Sequence, residues 1–166
     1  IPVDIKSPKE KLDFIINKTQ PKLALGLLHD FEPIICRDYD IFQNIEINEL
    51  PTGIGFPKSK KVADILFTTG TTGESKGVIL THGNISASAE NINSYIGNID
   101  TDTELLALPV SHSFGLGRIR CILTAGGTLV LFGNFVNVKR MFQKFEDYKV
   151  TGFSMVPSSW AYLKKM

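Results

Sequence analysis

The chain has 166 residues, 43% of them hydrophobic, so one domain fits by length. A chain this long can bury roughly 70% of its unfolded surface in a core of its own. Eighteen Lys and Arg against 17 Asp and Glu leave a net charge of +1, which removes the electrostatic case for a nucleic-acid or anionic-membrane partner. Two cysteines, Cys36 and Cys121, make no disulfide framework and fit a reducing, cytoplasmic setting; no apolar run approaches the roughly 20 residues of a transmembrane helix.

In chain order, Pro8 to Lys18 predicts a helix, with Leu12, Ile15 and Ile16 on one face, Ser7 as cap and Pro8 in the first turn. Leu23 to Leu28 reads as a short buried strand and Pro33 to Cys36 as another, while Tyr39 to Leu50 carries no clear period. Pro51 to Lys61 is rich in Pro, Gly and Lys and reads as a seam, its lysines (Lys58, Lys60 and Lys61) as a solvated linker. Strands follow at Ala63–Thr68 and Gly77–Leu80. A helix from His82 to Ile96 carries Ile85, Ala89, Ile92 and Ile96 on one face. Glu104–Leu108, Gly127–Phe132 and Gly152–Val156 read as strands. Between them lie helices at Phe114–Thr124 and Asn137–Tyr148, the second with Val138, Met141, Phe142 and Phe145 as its apolar face, and Pro157 opens a last helix. Strands alternating with helices predict an α/β fold with a mostly parallel sheet and flanking helices.

The most informative stretch is Thr68-Thr69-Gly70-Thr71-Thr72-Gly73-Glu74-Ser75-Lys76-Gly77, set between two apolar runs. Glycines let backbone N–H groups turn toward an anion, hydroxyls add donors, and Lys76 adds a point charge suited to phosphate. A bare Gly/Thr-rich surface turn is the plain alternative. Lys76 lies between Ser75 and Gly77, whereas a Walker A loop has Gly before its Lys and Ser or Thr after it, so the spacing argues against an ordinary P-loop. Glu74 would repel an anionic tail and is expected to face solvent.

This decapeptide resembles the phosphate-binding signature of the adenylate-forming superfamily, which includes acyl-CoA synthetases, luciferases and peptide-synthetase adenylation domains. Nine of its ten positions agree; Ser75 stands where the family usually has proline, a loss of restraint worth about 0.4–1 kcal/mol. Val78-Ile79-Leu80-Thr81-His82-Gly83-Asn84, Leu108-Pro109-Val110-Ser111-His112-Ser113-Phe114-Gly115 and Gly152-Phe153-Ser154-Met155-Val156-Pro157 are similar to the segments that follow in that family, and Ile1 to Leu25 to the segment upstream.

The resemblance implies an ATP-dependent carboxylate-activating ligase that makes an acyl-adenylate and then an acyl-CoA. It implies ATP, Mg2+ and coenzyme A as its small molecules and a place in fatty-acid metabolism. It assigns the ATP phosphates to Thr68, Thr69, Gly70, Thr71, Thr72, Gly73 and Lys76. It also sets His112 in the wall of the acyl pocket, where the residues alone suggest a loop histidine with a structural hydrogen bond. His82 takes a capping position. The family's catalytic lysine and ribose-binding aspartate have no counterpart here, so the chain reads as an internal piece of the large N-terminal domain, inactive alone and needing the rest of its parent. Residues 1–50 form an upstream α/β segment, 51–62 a loop and 63–166 the phosphate-loop subdomain. A peptide-synthetase adenylation domain and a non-catalytic nucleotide-binding module are the alternatives.

Other chemistries find little footing. No His or Cys pair has zinc-ligand spacing. Gly115-Leu116-Gly117 opens like a dinucleotide fingerprint, but Arg120 fills the third glycine position. Arg118 and Arg120 are expected on the helix surface. No Gly-x-Ser-x-Gly elbow of a serine hydrolase occurs.

Overall fold

The computed structural model describes residues 1–4, 6–26, 34–37, 53, 55–68, 75–133, 135 and 137–165. The chain divides into two compact units: Val3–Phe56 in one, Ile1–Pro2 with Pro57–Met166 in the other.

In the smaller unit, helix α1 spans Lys9–Thr19 and buries Leu12 and Ile15. It starts one residue later than expected, and Ser7 is not its cap. Pro8 holds an extended ψ of 150° in the cap position, its carbonyl starts the helical ladder, and the Ser7 amide is spent on the Asp4 carbonyl. Strand β1 (Leu23–Leu25) pairs in parallel with β2 (Ile35–Arg37). β1 ends at Gly26, whose φ of +67° suits a residue without Cβ. Residues 27–28, 33 and 39–50, the Cys36 side chain and His29 lie outside the described residues.

The larger unit begins with an antiparallel pair, β3 (Val62–Phe67) and β4 (Gly77–Thr81). Ala63 is the extra residue of a bulge, because Val62 faces Thr81 and Asp64 already faces Leu80. Helix α2 (His82–Ile96) follows at once. Its cap is Thr81 rather than His82. The Thr81 hydroxyl accepts from the Asn84 amide at 3.2 Å and the Asn84 carboxamide oxygen accepts from the Thr81 amide at 3.0 Å. Of its expected apolar face Ala89 is buried, whereas Ile96 is 54% exposed.

A three-stranded parallel sheet comes next, in the order β6–β5–β7: β5 is Thr103–Leu106, β6 Thr128–Leu131 and β7 Gly152–Phe153. Helix α3 (Ser113–Thr124) joins β5 to β6, and α4 (Val138–Asp147) joins β6 to β7. α5 (Pro157–Leu163) has its proline in the first turn, where a missing N–H costs nothing. β7 is shorter than expected; beyond Phe153 the Ser154 hydroxyl turns back to Glu104. Side chains alternate across β5. Leu105 and Ala107 pack with Val138 and Met141 of α4, closed over by Phe145 and Phe153 with ring centroids 5.2 Å apart. Glu104, on the other face, meets α3. Helices therefore cover both faces, and each fully buried Leu or Met contributes about 1.5–3 kcal/mol. The sheets are parallel except for the β3–β4 pair, which fits a mostly parallel α/β fold.

Candidate functional site

The β3–β4 hairpin carries the Gly/Thr stretch. Its mouth is closed where the Thr68 amide donates to the Lys76 carbonyl at 3.0 Å. A second closure comes from the Ser75 hydroxyl, which donates to the Thr68 carbonyl. That hydroxyl ties the two ends of the loop together at the position where the family pattern has proline. Thr68 and Lys76 are both exposed, and Lys76 makes no ion pair among the described residues. Thr69, Gly70, Thr71, Thr72, Gly73 and Glu74 lie outside the described residues. Gly77 is tight: a Cβ there would stand 3.2 Å from Ile65 Cγ2 and from Phe67 Cζ.

His112 lies elsewhere, past the carboxyl end of β5, the edge where α/β sheets place ligands. It is the cap residue of α3, with extended backbone (φ −102°, ψ 148°). Its amide donates to the Pro109 carbonyl at 3.3 Å and its carbonyl accepts from the Leu116 amide at 3.0 Å, while the ring makes no capping bond and the residue is exposed. Gly115 is what lets this turn close. A Cβ on it would stand 2.3 Å from the Pro109 carbonyl oxygen, closer than any side chain tolerates. Among the described residues no hydrogen bond joins His112 to Thr68 or Lys76.

Arg118 and Arg120 are not helix-surface charges. Arg118 is 6% exposed and Glu104 1%. The Arg118 Nε donates to both Glu104 oxygens, at 2.9 and 3.2 Å, Nη2 donates to Oε2, and the Ser154 hydroxyl adds a bond of 3.0 Å to Oε1. The hydrogen bond to Glu104 pushes the guanidinium pKa up against the opposing pull of burial. Its Nη1 is buried and has no hydrogen-bond partner among the described residues. Arg120 pairs with Asp64 of β3, and burial draws its pKa down. The missed signal was spacing: Gly115, Arg118, Cys121 and Ile122 fall on one helical face, and the last two are plainly apolar. Cys121 is fully buried and burial pushes its thiol pKa up, which suits a core residue and not a nucleophile.

Among the described residues no cluster of His, Cys, Asp or Glu could hold a metal ion, and no helix is long and apolar enough to cross a membrane. The exposed donors at the hairpin mouth suit phosphate oxygens rather than a bare cation.

These features belong to a known class. The AMP-binding enzyme family model matches residues 1–166, so the chain is a member of that family of adenylate-forming enzymes. It is 32% identical over 163 residues to a luciferin 4-monooxygenase of Photuris pensylvanica, covering 95% of this chain and 29% of that protein. It is 41% identical over 98 residues to a 4-coumarate–CoA ligase-like protein of Arabidopsis thaliana, covering 57% of this chain and 17% of that one. The structure superposes on an o-succinylbenzoate CoA synthetase of Bacillus subtilis solved with its acyl-adenylate intermediate. The TM-score is 0.79 and the identity 25%, covering 98% of this chain and 44% of that one. The chain thus spans less than a third of the length of these two curated relatives.

Proposed function

We propose that the β3–β4 hairpin holds the β- and γ-phosphates of ATP in an enzyme that activates a carboxylic acid and passes the acyl group to the thiol of coenzyme A. The observation that carries this reading is the closed hairpin mouth, which presents Thr68 and Lys76 outward at the two ends of a Gly/Thr stretch. The glycine amides and hydroxyls of Thr69 to Gly73 complete the cradle in this reading. The family match over all 166 residues supports it.

In the first step the substrate carboxylate attacks the α-phosphorus of ATP. A carboxylate O–P bond forms, the α–β bridging P–O bond breaks, and pyrophosphate leaves with its negative charge. Lys76 and the loop donors neutralise that departing charge without forming a covalent bond. Mg2+, carried on the phosphate oxygens, supplies further charge neutralisation. In the second step the thiol sulfur attacks the acyl carbon, and AMP leaves as the proton goes to solvent. His112, exposed at the carboxyl edge of β5, lines the acid site.

The chain by itself does not turn over in this reading, because it supplies the phosphate loop and acid-site edge of a larger machine. The test is ATP–pyrophosphate exchange by the full-length enzyme with a panel of carboxylic acids, run beside the isolated chain. Acid-dependent exchange by the full-length enzyme alone supports the reading. Exchange by the isolated chain contradicts the inactivity, and none by the full-length enzyme with any acid contradicts the ligase assignment. Acyl transfer to a carrier-protein thiol in place of coenzyme A would correct the acceptor.

A further inference from the structure

Asp64 lies on β3 just past the bulge at Ala63, and its carboxylate accepts from Arg120 Nη2 on α3. The two side chains are only 19% and 21% exposed. The surroundings are thinly packed. A cavity of about 140 Å³ lies between Leu66 and Leu80 of the hairpin, Ile85 and Ala89 of α2, and Gly117 and Cys121 of α3, and Arg120 lines it. Among the described residues this ion pair is the polar contact that crosses from hairpin to α3. The cavity leaves this side of the hairpin thinly packed, whereas a guanidinium on a carboxylate is directional. A mostly buried ion pair is weak evidence for stability, and fixing the seating of two elements is the best-attested use of such a pair.

The register matters because of what each element carries. Thr68 is four residues beyond Asp64 on the hairpin, and His112 is the cap of the helix that bears Arg120. An in-line attack tolerates little misplacement between the two reactants. We propose that Asp64 and Arg120 are positioning residues that set the phosphate-loop hairpin against α3, and so align the ATP phosphates with the acid; this rests on the ligase reading above.

The test is the double variant D64L/R120M in the full-length enzyme. It removes both charges together, which spares the fold the penalty of a lone buried charge. Melting temperature and the ATP–pyrophosphate exchange rate at saturating ATP and acid are read side by side. Positioning predicts a melting temperature at or above that of the wild type and an exchange rate lowered between about twofold and thirtyfold. A folded double variant exchanging at the wild-type rate overturns the proposal while leaving the ligase reading intact. A wild type that never exchanges overturns the ligase reading and this inference with it. R120K, which keeps the charge but loses the planar fork, gives an independent decision. A reduced rate at unchanged melting temperature supports positioning, and a wild-type rate overturns it.

Discussion

Replacing Glu104 by glutamine removes the charge that faces Arg118 while keeping the shape of the side chain. Both partners are almost fully buried, and Arg118 Nη1 already lacks a hydrogen-bond acceptor among the described residues. The variant leaves a guanidinium inside the fold with no counter-charge, a loss of about 3–5 kcal/mol. At about 2–4 °C per kcal/mol for a domain of about 150–250 residues, the melting temperature falls by about 6–20 °C. The companion is E104L/R118M, which replaces the pair by apolar side chains of similar volume. It should lie within about 1 kcal/mol of the wild type or above it. Ser154 loses its acceptor in that variant, but it borders an open polar pocket where water can take its place. Circular dichroism melts of wild type, E104L, R118M and E104L/R118M close the cycle, with E104Q melted beside them. Two singles each lowered by several degrees beside a near-neutral double confirm a strongly coupled buried pair. Singles that melt like the wild type would refute the idea that Arg118 is desolvated against Glu104.

The turn before α3 and the acid end of the pH scale give two more expectations. G115A pushes a methyl group against the Pro109 carbonyl, so it should cost at least about 1–3 kcal/mol and displace His112, read as a lowered melting temperature and a raised KM for the acid. Asp102 accepts hydrogen bonds from the Ile99 amide and the Thr151 hydroxyl, and these hold its pKa below the ordinary 3.8. A depressed folded-state pKa contributes stability that is complete above the unfolded value and is lost as pH falls through the folded one. D102N should therefore melt below the wild type at neutral pH, with the gap narrowing once pH drops under 3.8; a gap that is the same at pH 3 and pH 6 would remove the ionised Asp102 from the account.

Much of the fold was legible because period and punctuation agree. Met141 and Val138 share a face at helical spacing and are buried, and Pro157 opens a helix. Element ends were less legible, since a strand stops where its neighbour stops: β7 pairs only at Gly152 and Phe153. The Gly/Thr stretch between two strands was legible as composition, while the Ser75 brace depends on which carbonyl lies across the hairpin, and that is a tertiary fact. Arg118 was misplaced because charge was weighed above helical phase. Position 118 falls on the buried face with Cys121, and no local pattern announces that Glu104, fourteen residues back, waits beneath it. Asp64 with Arg120 is harder still, being 56 residues apart.

The central claim is that the hairpin between β3 and β4 grips the phosphate tail of ATP, and MgATP binding to the full-length enzyme with and without K76A tests it most directly. A charge-assisted bond of about 1.5–3 kcal/mol predicts a dissociation constant raised by about ten- to 150-fold, with melting temperature unchanged because Lys76 is exposed and supports no other contact among the described residues than the backbone bond at the hairpin mouth. Equal MgATP affinity in the two proteins would contradict it.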